Sequence, residues 1–269
     1  MPRPHFLPCP PALRRRAWLA LPAAALCPRS APARDAAPLI AAAADLHFAL
    51  EEIAARFQEA SGWALRLSFG SSGNLARQIE QGAPFELFLS ADETFVFRLL
   101  AGGHVRDEGV LYATGRIVLF APPASPIDAE QGLAGLLAAL EAGRVRRFAI
   151  AQPEHAPYGR AAEQALRAVG LWERLAPHLV LAENVAQAAQ FALAGGSQGG
   201  IVAYALVLSP ALRGRGRFSL IPEALHAPLR QRMVLTRRAG PVAEAFYAHL
   251  QSPAARSILR RHGFSLPED

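Results

Sequence analysis

Four short stretches of this 269-residue sequence set small or hydroxyl-bearing residues where an apolar run gives way to a helical one. They are AAADLH at Asp45, FGSSGN at Ser71 and Ser72, PEHAPYGR at Tyr158, and AENVAQ at Asn184 and Val185. At such a junction the first helical amides have no partner inside the helix, and the aligned peptide dipoles leave that end partly positive. A helix start is therefore an anion site that needs no cationic side chain. Several of them converging would satisfy a small oxyanion, whose acceptors point in every direction. Taken singly, the residues have plainer roles. Ser71 or Ser72 serves as a helix cap, Gly70 and Gly73 as turn residues, and Tyr158 as a buried aromatic, while Val185 brings only its backbone N–H. The chemistry lies in the combination.

The elements that would position these residues alternate. LIAAAAD reads as a short apolar strand ending at Asp45, a candidate N-cap, and LHFALEEIAARFQEAS spaces its apolar residues at helical intervals. WALRLSF and FELFLSA read as strands on either side of the helix GNLARQIEQG, and a further helix runs from Thr94 to Ala101. After GRIVLFAPP the alternation resumes through RRFAIA, GRAAEQALRAVGLWERL, LVLA, NVAQAAQFALAG and GGIVAYALVL, and closes with the strand QRMVLTRR and two helices. Strands alternating with helices of this length predict an α/β protein of two lobes, each a mostly parallel sheet flanked by helices. Lobe I is expected over 38–117 and 231–269, lobe II over 118–230. Ligands of open α/β sheets sit beyond the carboxyl ends of the strands, which is where the four junctions fall.

Composition narrows the function. All 28 basic residues are arginine, against 22 acids, and the apolar fraction of 52% is enough to build real cores. Five arginines and no acid fall in the first 33 residues, so the rest carries 23 basic and 22 acidic groups, a net charge of +1. That balance gives no footprint for nucleic acid. The basic cluster Arg14 to Arg16, followed by an apolar run and small residues at Ala31 and Ala33, predicts an export signal over 1–33. Cys9 and Cys27 both lie within it, so the mature chain is expected to hold no disulfide or thiol nucleophile. Glu86, Asp92 and Glu93 are not expected to pair as acid and base. Glu86 sits near the far end of a strand, and Asp92 and Glu93 read as the cap and first turn of the next helix. His47 and His155 are placed to rim a cleft, and no third ligand at informative spacing suggests a metal. Arg77 and Arg160, just after two of the junctions, are read as surface ion pairs, with steering or lobe cross-linking as the alternative.

In FGSSGNLARQIEQGAPFELFLSAD, GRIVLFAP, AIAQPEHAPYGRAAEQAL, GLWERL, ENVAQAAQFAL and GIVAY, in this order and spacing, the chain resembles the periplasmic molybdate-binding proteins of bacterial ABC importers. The resemblance spans about Pro38 to Phe264. It implies a type II periplasmic binding protein, not an enzyme, that closes two lobes around molybdate or tungstate and delivers it to a membrane ABC permease. It also implies a periplasmic monomer without a cofactor, the molybdenum or tungsten being held as the oxyanion and not by direct side-chain coordination. The alternative is the same fold tuned to sulfate, phosphate or thiosulfate. Carried over residue by residue, the oxyanion-binding set is Asp45, Ser71, Ser72, Tyr158, Val185 and Tyr204. Two positions depart from the family pattern. Asp45 stands where some members have serine, and an ionised carboxylate can only accept hydrogen bonds. It is expected either to turn back over its helix start and offer its backbone N–H inward, or to be protonated. In GIVAYA the family tyrosine position falls on Ala203, leaving Tyr204 either in hinge packing or at the ligand.

Overall fold

The computed structural model describes residues 37–267, so the export signal expected over 1–33 lies outside the described residues. In chain order the elements are β1 (Leu39–Ala43), a 3-10 turn (Ala44–Leu46), α1 (His47–Ser61), β2 (Arg66–Gly70), α2 (Ser72–Glu80), β3 (Phe85–Ser90), α3 (Glu93–Ala101) and β4 (Val110–Gly115). They continue through β5 (Ile117–Ala121), α4 (Leu133–Glu141), β6 (Phe148–Ala151), α5 (Pro157–Ala168), α6 (Trp172–Leu175), β7 (Leu179–Ala182), α7 (Val185–Leu193), β8 (Gly200–Ala203) and α8 (Tyr204–Val207). The chain closes with β9 (Arg217–Leu220), β10 (Leu229–Leu235), α9 (Pro241–Leu250) and α10 (Pro253–Arg261).

Two five-stranded sheets result, ordered β2-β1-β3-β10-β4 and β7-β6-β8-β5-β9. Each contains three adjacent parallel strands and is completed by antiparallel pairings, through β10 in the first and β5 in the second. The sheets are thus mixed, because the chain leaves one for the other and comes back. It crosses at Arg116, between β4 and β5, and returns between Leu220 and Leu229.

Residue size explains the layers. Along β1, Ile40 and Ala42 face the cluster formed by Leu50, Ile53 and Phe57 of α1, while Ala41 faces Leu75, Phe88 and Val96 on the other side of the sheet. This is the alternation of a strand buried on both faces. The second sheet is covered by an apolar cluster that includes Phe120, Phe148, Ile150 and Leu166. Helix α1 ends at Gly62, whose φ of 76° is the left-handed stop that glycine permits. As read from the sequence, Asp92 caps α3, accepting from the Thr94 amide at 2.8 Å.

Strand register places the site. Ala43 of β1 pairs with Gly70 of β2, so these strands end level and the chain beyond each begins side by side. In the second sheet Ala151 of β6 pairs with Ala182 of β7, which brings the starts of α5 and α7 together in the same way.

Helix α5 sits hard against β6. A Cβ on Gly159 would lie 2.1 Å from the Ala151 carbonyl oxygen, a backbone atom that cannot step aside. Gly159→Ala should therefore destabilise the protein by about 1–3 kcal/mol, against the gain of about 1 kcal/mol that the exchange gives in an open helix. Urea denaturation reads the sign directly.

Candidate functional site

Asp45, Ser71, Ser72, Tyr158 and Val185 line one small cavity, with Gly70, Ala91, Pro157 and Asn184 among the other lining residues. No arginine or histidine lines it. Three of its lining residues carry backbone amides that meet no acceptor among the described residues. On α2, Leu75 N–H donates to the Ser71 carbonyl and Gly73 N–H to the His155 carbonyl, while the Ser72 amide meets no acceptor among the described residues. On α5, Pro157 has no N–H and the Gly159 and Arg160 amides both donate to the Ala156 carbonyl, so Tyr158 carries the first free amide. On α7, the Asn184 side chain accepts from Ala186 at 3.1 Å and Gln187 at 3.0 Å, leaving the Val185 amide. On each of these helices some early amides find acceptors while the first available one, on a residue lining the cavity, does not. The Ser72 hydroxyl accepts from the Ala91 amide at 2.9 Å, which leaves its own proton for the cavity.

Asp45 departs from one of its two expected arrangements. It is buried, at 2% exposure, within the 3-10 turn, and it caps no helix, the N-cap of α1 being Leu46. The carboxylate reaches across to lobe II instead. Its Oδ2 accepts from the Tyr158 hydroxyl at 2.8 Å and from Gln231 Nε2 at 2.6 Å, and Tyr112 donates to Gln231 Oε1 at 2.7 Å. Its Oδ1 is buried with no hydrogen-bond partner. Burial pushes the Asp45 carboxyl up to about 6, against the opposing pull of Gln231, Tyr158 and the nearby Asp45 and Leu46 amides. The same burial, with the Asp45 charge, holds the Tyr158 and Tyr112 phenols well above their ordinary range.

Tyr204 does not line the cavity. The strand ends at Ala203 and the chain turns helical at Tyr204, whose amide donates to the Arg116 carbonyl at 2.9 Å. The ring lies under the Arg116 guanidinium, 4.7 Å away, and beside Phe218. It packs at the crossover, so its place among the oxyanion-binding candidates is withdrawn. His47 is likewise off the cavity, stacked on Phe69 at 4.6 Å. Among the described residues, no group of three or more His, Cys, Asp or Glu could hold a metal ion.

The lobes touch directly around this space. Ser71 Oγ and His155 Nδ1 are 2.9 Å apart, the Gly73 amide meets the His155 carbonyl at 2.9 Å, and Arg160 meets Asp92 at 3.1 Å. Burial, followed by the Arg77 charge, lowers the His155 pKa and favours a neutral ring at this seam. Two glycines are required by the close approach. A Cβ on Gly73 would stand 2.7 Å from the His155 carbonyl oxygen, and one on Gly115 2.2 Å from the Tyr158 hydroxyl. Gln231 and Tyr112 were not among the candidates read from the sequence. The available signal was Gln231 itself, a fully buried polar residue in register with Leu229 and Met233 on the inward side of β10.

Two lobes, two crossovers and a cavity at the strand ends define a solute-binding protein. The chain matches the model of the bacterial extracellular solute-binding protein family over residues 38–265, and belongs to that family. Within it, the chain is similar to the molybdate-binding protein ModA of Rhodobacter capsulatus, 35% identical over 236 residues that cover 87% of this chain and 90% of the relative. It is similar also to ModA of Azotobacter vinelandii, 34% identical, covering 84% and 89% of the two chains. The solved periplasmic molybdate-binding protein of A. vinelandii superposes with a TM-score of 0.78 at 30% identity, covering 86% of this chain and 100% of that one.

Two outcomes are expected from this geometry. The free carboxyl of an unfolded chain titrates near 3.8 and Asp45 near 6, so between those values the folded form holds a proton that the unfolded form has lost. Stability therefore falls as pH rises through that interval, by about 3 kcal/mol in all. Asp45→Asn should be more stable than the parent at pH 8, with the advantage shrinking as pH is lowered from 6 toward 4 in denaturant titrations. Gly73→Ala should hold the lobes apart, read as a larger radius of gyration in small-angle scattering.

Proposed function

We propose that the protein captures molybdate or tungstate in the periplasm and hands it to an ABC import permease. It is a binding protein and not an enzyme, as its family is. The observation that carries the reading is that Ser72, Tyr158 and Val185, whose amides meet no acceptor among the described residues, line one cavity together, with no arginine or histidine among its lining residues. Hydrogen bonds to a charged acceptor contribute about 1.5–3 kcal/mol each, so a handful offsets much of the dehydration of a small dianion. Both lobes contribute donors, which makes the closed form the one that the anion stabilises. We assign Ser72, Tyr158 and Val185 as ligands through their amides, Ser72 also through its hydroxyl, and Ser71 as a wall residue engaged with His155. Discrimination against sulfate would rest on cavity size in the bound form, because Mo–O and W–O bonds are longer than S–O bonds.

Titration calorimetry with molybdate, tungstate and sulfate on the purified protein tests the assignment. Tight one-to-one binding of the first two is expected, and sulfate bound as tightly as molybdate would reject it. Ser72→Ala should weaken molybdate binding by about 10-fold to 150-fold, the loss of one charge-assisted bond.

A further inference from the structure

Asp45 has one carboxylate oxygen more than the protein uses. Its Oδ2 is held by Tyr158 and Gln231, while Oδ1, on a residue that lines the cavity, is buried without a partner. Ionised, that oxygen offers an entering anion only repulsion. Protonated, it becomes a donor, as the free amides of the other lining residues are.

We infer that Asp45 holds the oxyanion as a carboxylic acid, its Oδ1–H donating to a ligand oxygen, so that capture of a fully deprotonated oxyanion takes up one proton from solution. The inference rests on the reading of the cavity as an oxyanion site. The groups facing Asp45 leave it as the proton acceptor. Tyr158 on α5 and Tyr112 on β4 are phenols already neutral, and Gln231 on β10 cannot ionise. From α2 and α7 the cavity receives Ser71, Ser72, Asn184 and Val185, all uncharged. Among the described residues, no arginine or histidine lines the cavity beside it. His155, across the seam on Ser71, has its pKa lowered and does not compete for a proton at neutral pH. Tyr158 and Gln231 are positioning residues here. By occupying Oδ2 they direct the added proton to Oδ1.

The balance is simple: a solvent proton joins Oδ1, no bond of the ligand breaks, and the bound pair carries two negative charges in place of three. Burial, against the pull of its donors, has brought the free carboxyl up to about 6, and the dianion raises it further. An oxyanion that arrives with its own proton, such as hydrogen phosphate, supplies the bridging hydrogen itself and binds without uptake.

Titration calorimetry with sodium molybdate in Hepes and in Tris, whose ionisation enthalpies differ, counts the protons. About one proton taken up per molybdate at pH 7.5 is expected, with much less at pH 5.5, and affinity falling about tenfold per pH unit on the alkaline side. Asp45→Asn should abolish the uptake and flatten the pH profile. Tyr158→Phe, which keeps the amide but removes a donor favouring the ionised carboxyl, should move the fall in affinity to higher pH. No uptake at pH 7.5 with molybdate bound would overturn the inference, as would the same uptake in Asp45→Asn. Should Asp45→Asn fail to fold, the buffer pair on the parent protein decides alone. Absence of heat with molybdate and tungstate at every pH would overturn the function itself, and the inference with it.

Discussion

The structure is organised around one electrostatic difficulty, the enclosure of a small doubly charged anion where no cation is available. Two like charges 4 Å apart at an effective dielectric of about 20 repel by about 4 kcal/mol, and a dianion beside an ionised carboxylate meets twice that. Neutral donors are the remedy only if they are already aimed and already released from other bonds. The chain satisfies this by arithmetic at each helix start. Asn184 takes two amides of α7 and leaves one, Pro157 removes one from α5 while Ala156 accepts two, and His155 takes the second of α2. Local capping and ligand binding are thus one design, since a cap that took one amide more would abolish a donor.

Sheet register then does what no single loop could. Level strand ends at Ala43 and Gly70, and at Ala151 and Ala182, bring residues more than a hundred positions apart to one space. The mixed character of both sheets follows from the same economy. The antiparallel strands are those through which the chain leaves one lobe and enters the other.

Much of this was legible in the sequence, for identifiable reasons. The helices α1, α2, α3 and α7 were readable from their apolar spacing, and α3 also from its cap Asp92, and the junctions at Asp45, Ser72, Tyr158 and Val185 because each sets small or polar residues at the end of an apolar run. The misses are equally specific. The strand β4, VLYATG, was overlooked, a strand being read only from Gly115 in GRIVLFAPP, because Arg116 alone separates β4 from β5 and no turn signal marks the boundary. GGIVAYALVL was read as a strand throughout because its β-branched and apolar residues say nothing of the turn to helix at Tyr204, which is set by a hydrogen bond to Arg116, far off in sequence. The orientation of Asp45 was beyond local reasoning because Tyr158 and Gln231, which claim its carboxylate, lie 113 and 186 residues away. Fold is written in short-range pattern, whereas a buried polar network is written in tertiary contact.

The two crossovers are unequal. One consists of Arg116 alone, its guanidinium donating to the Gly263 carbonyl at 2.8 Å and lying over the Tyr204 ring, while the other spans residues 221–228. A rigid-body opening of such a molecule turns about the short connection and draws slack from the long one. The axle sits beside Gly115, against which the Tyr158 hydroxyl is pressed, so the joint and the grip on the guest share a wall.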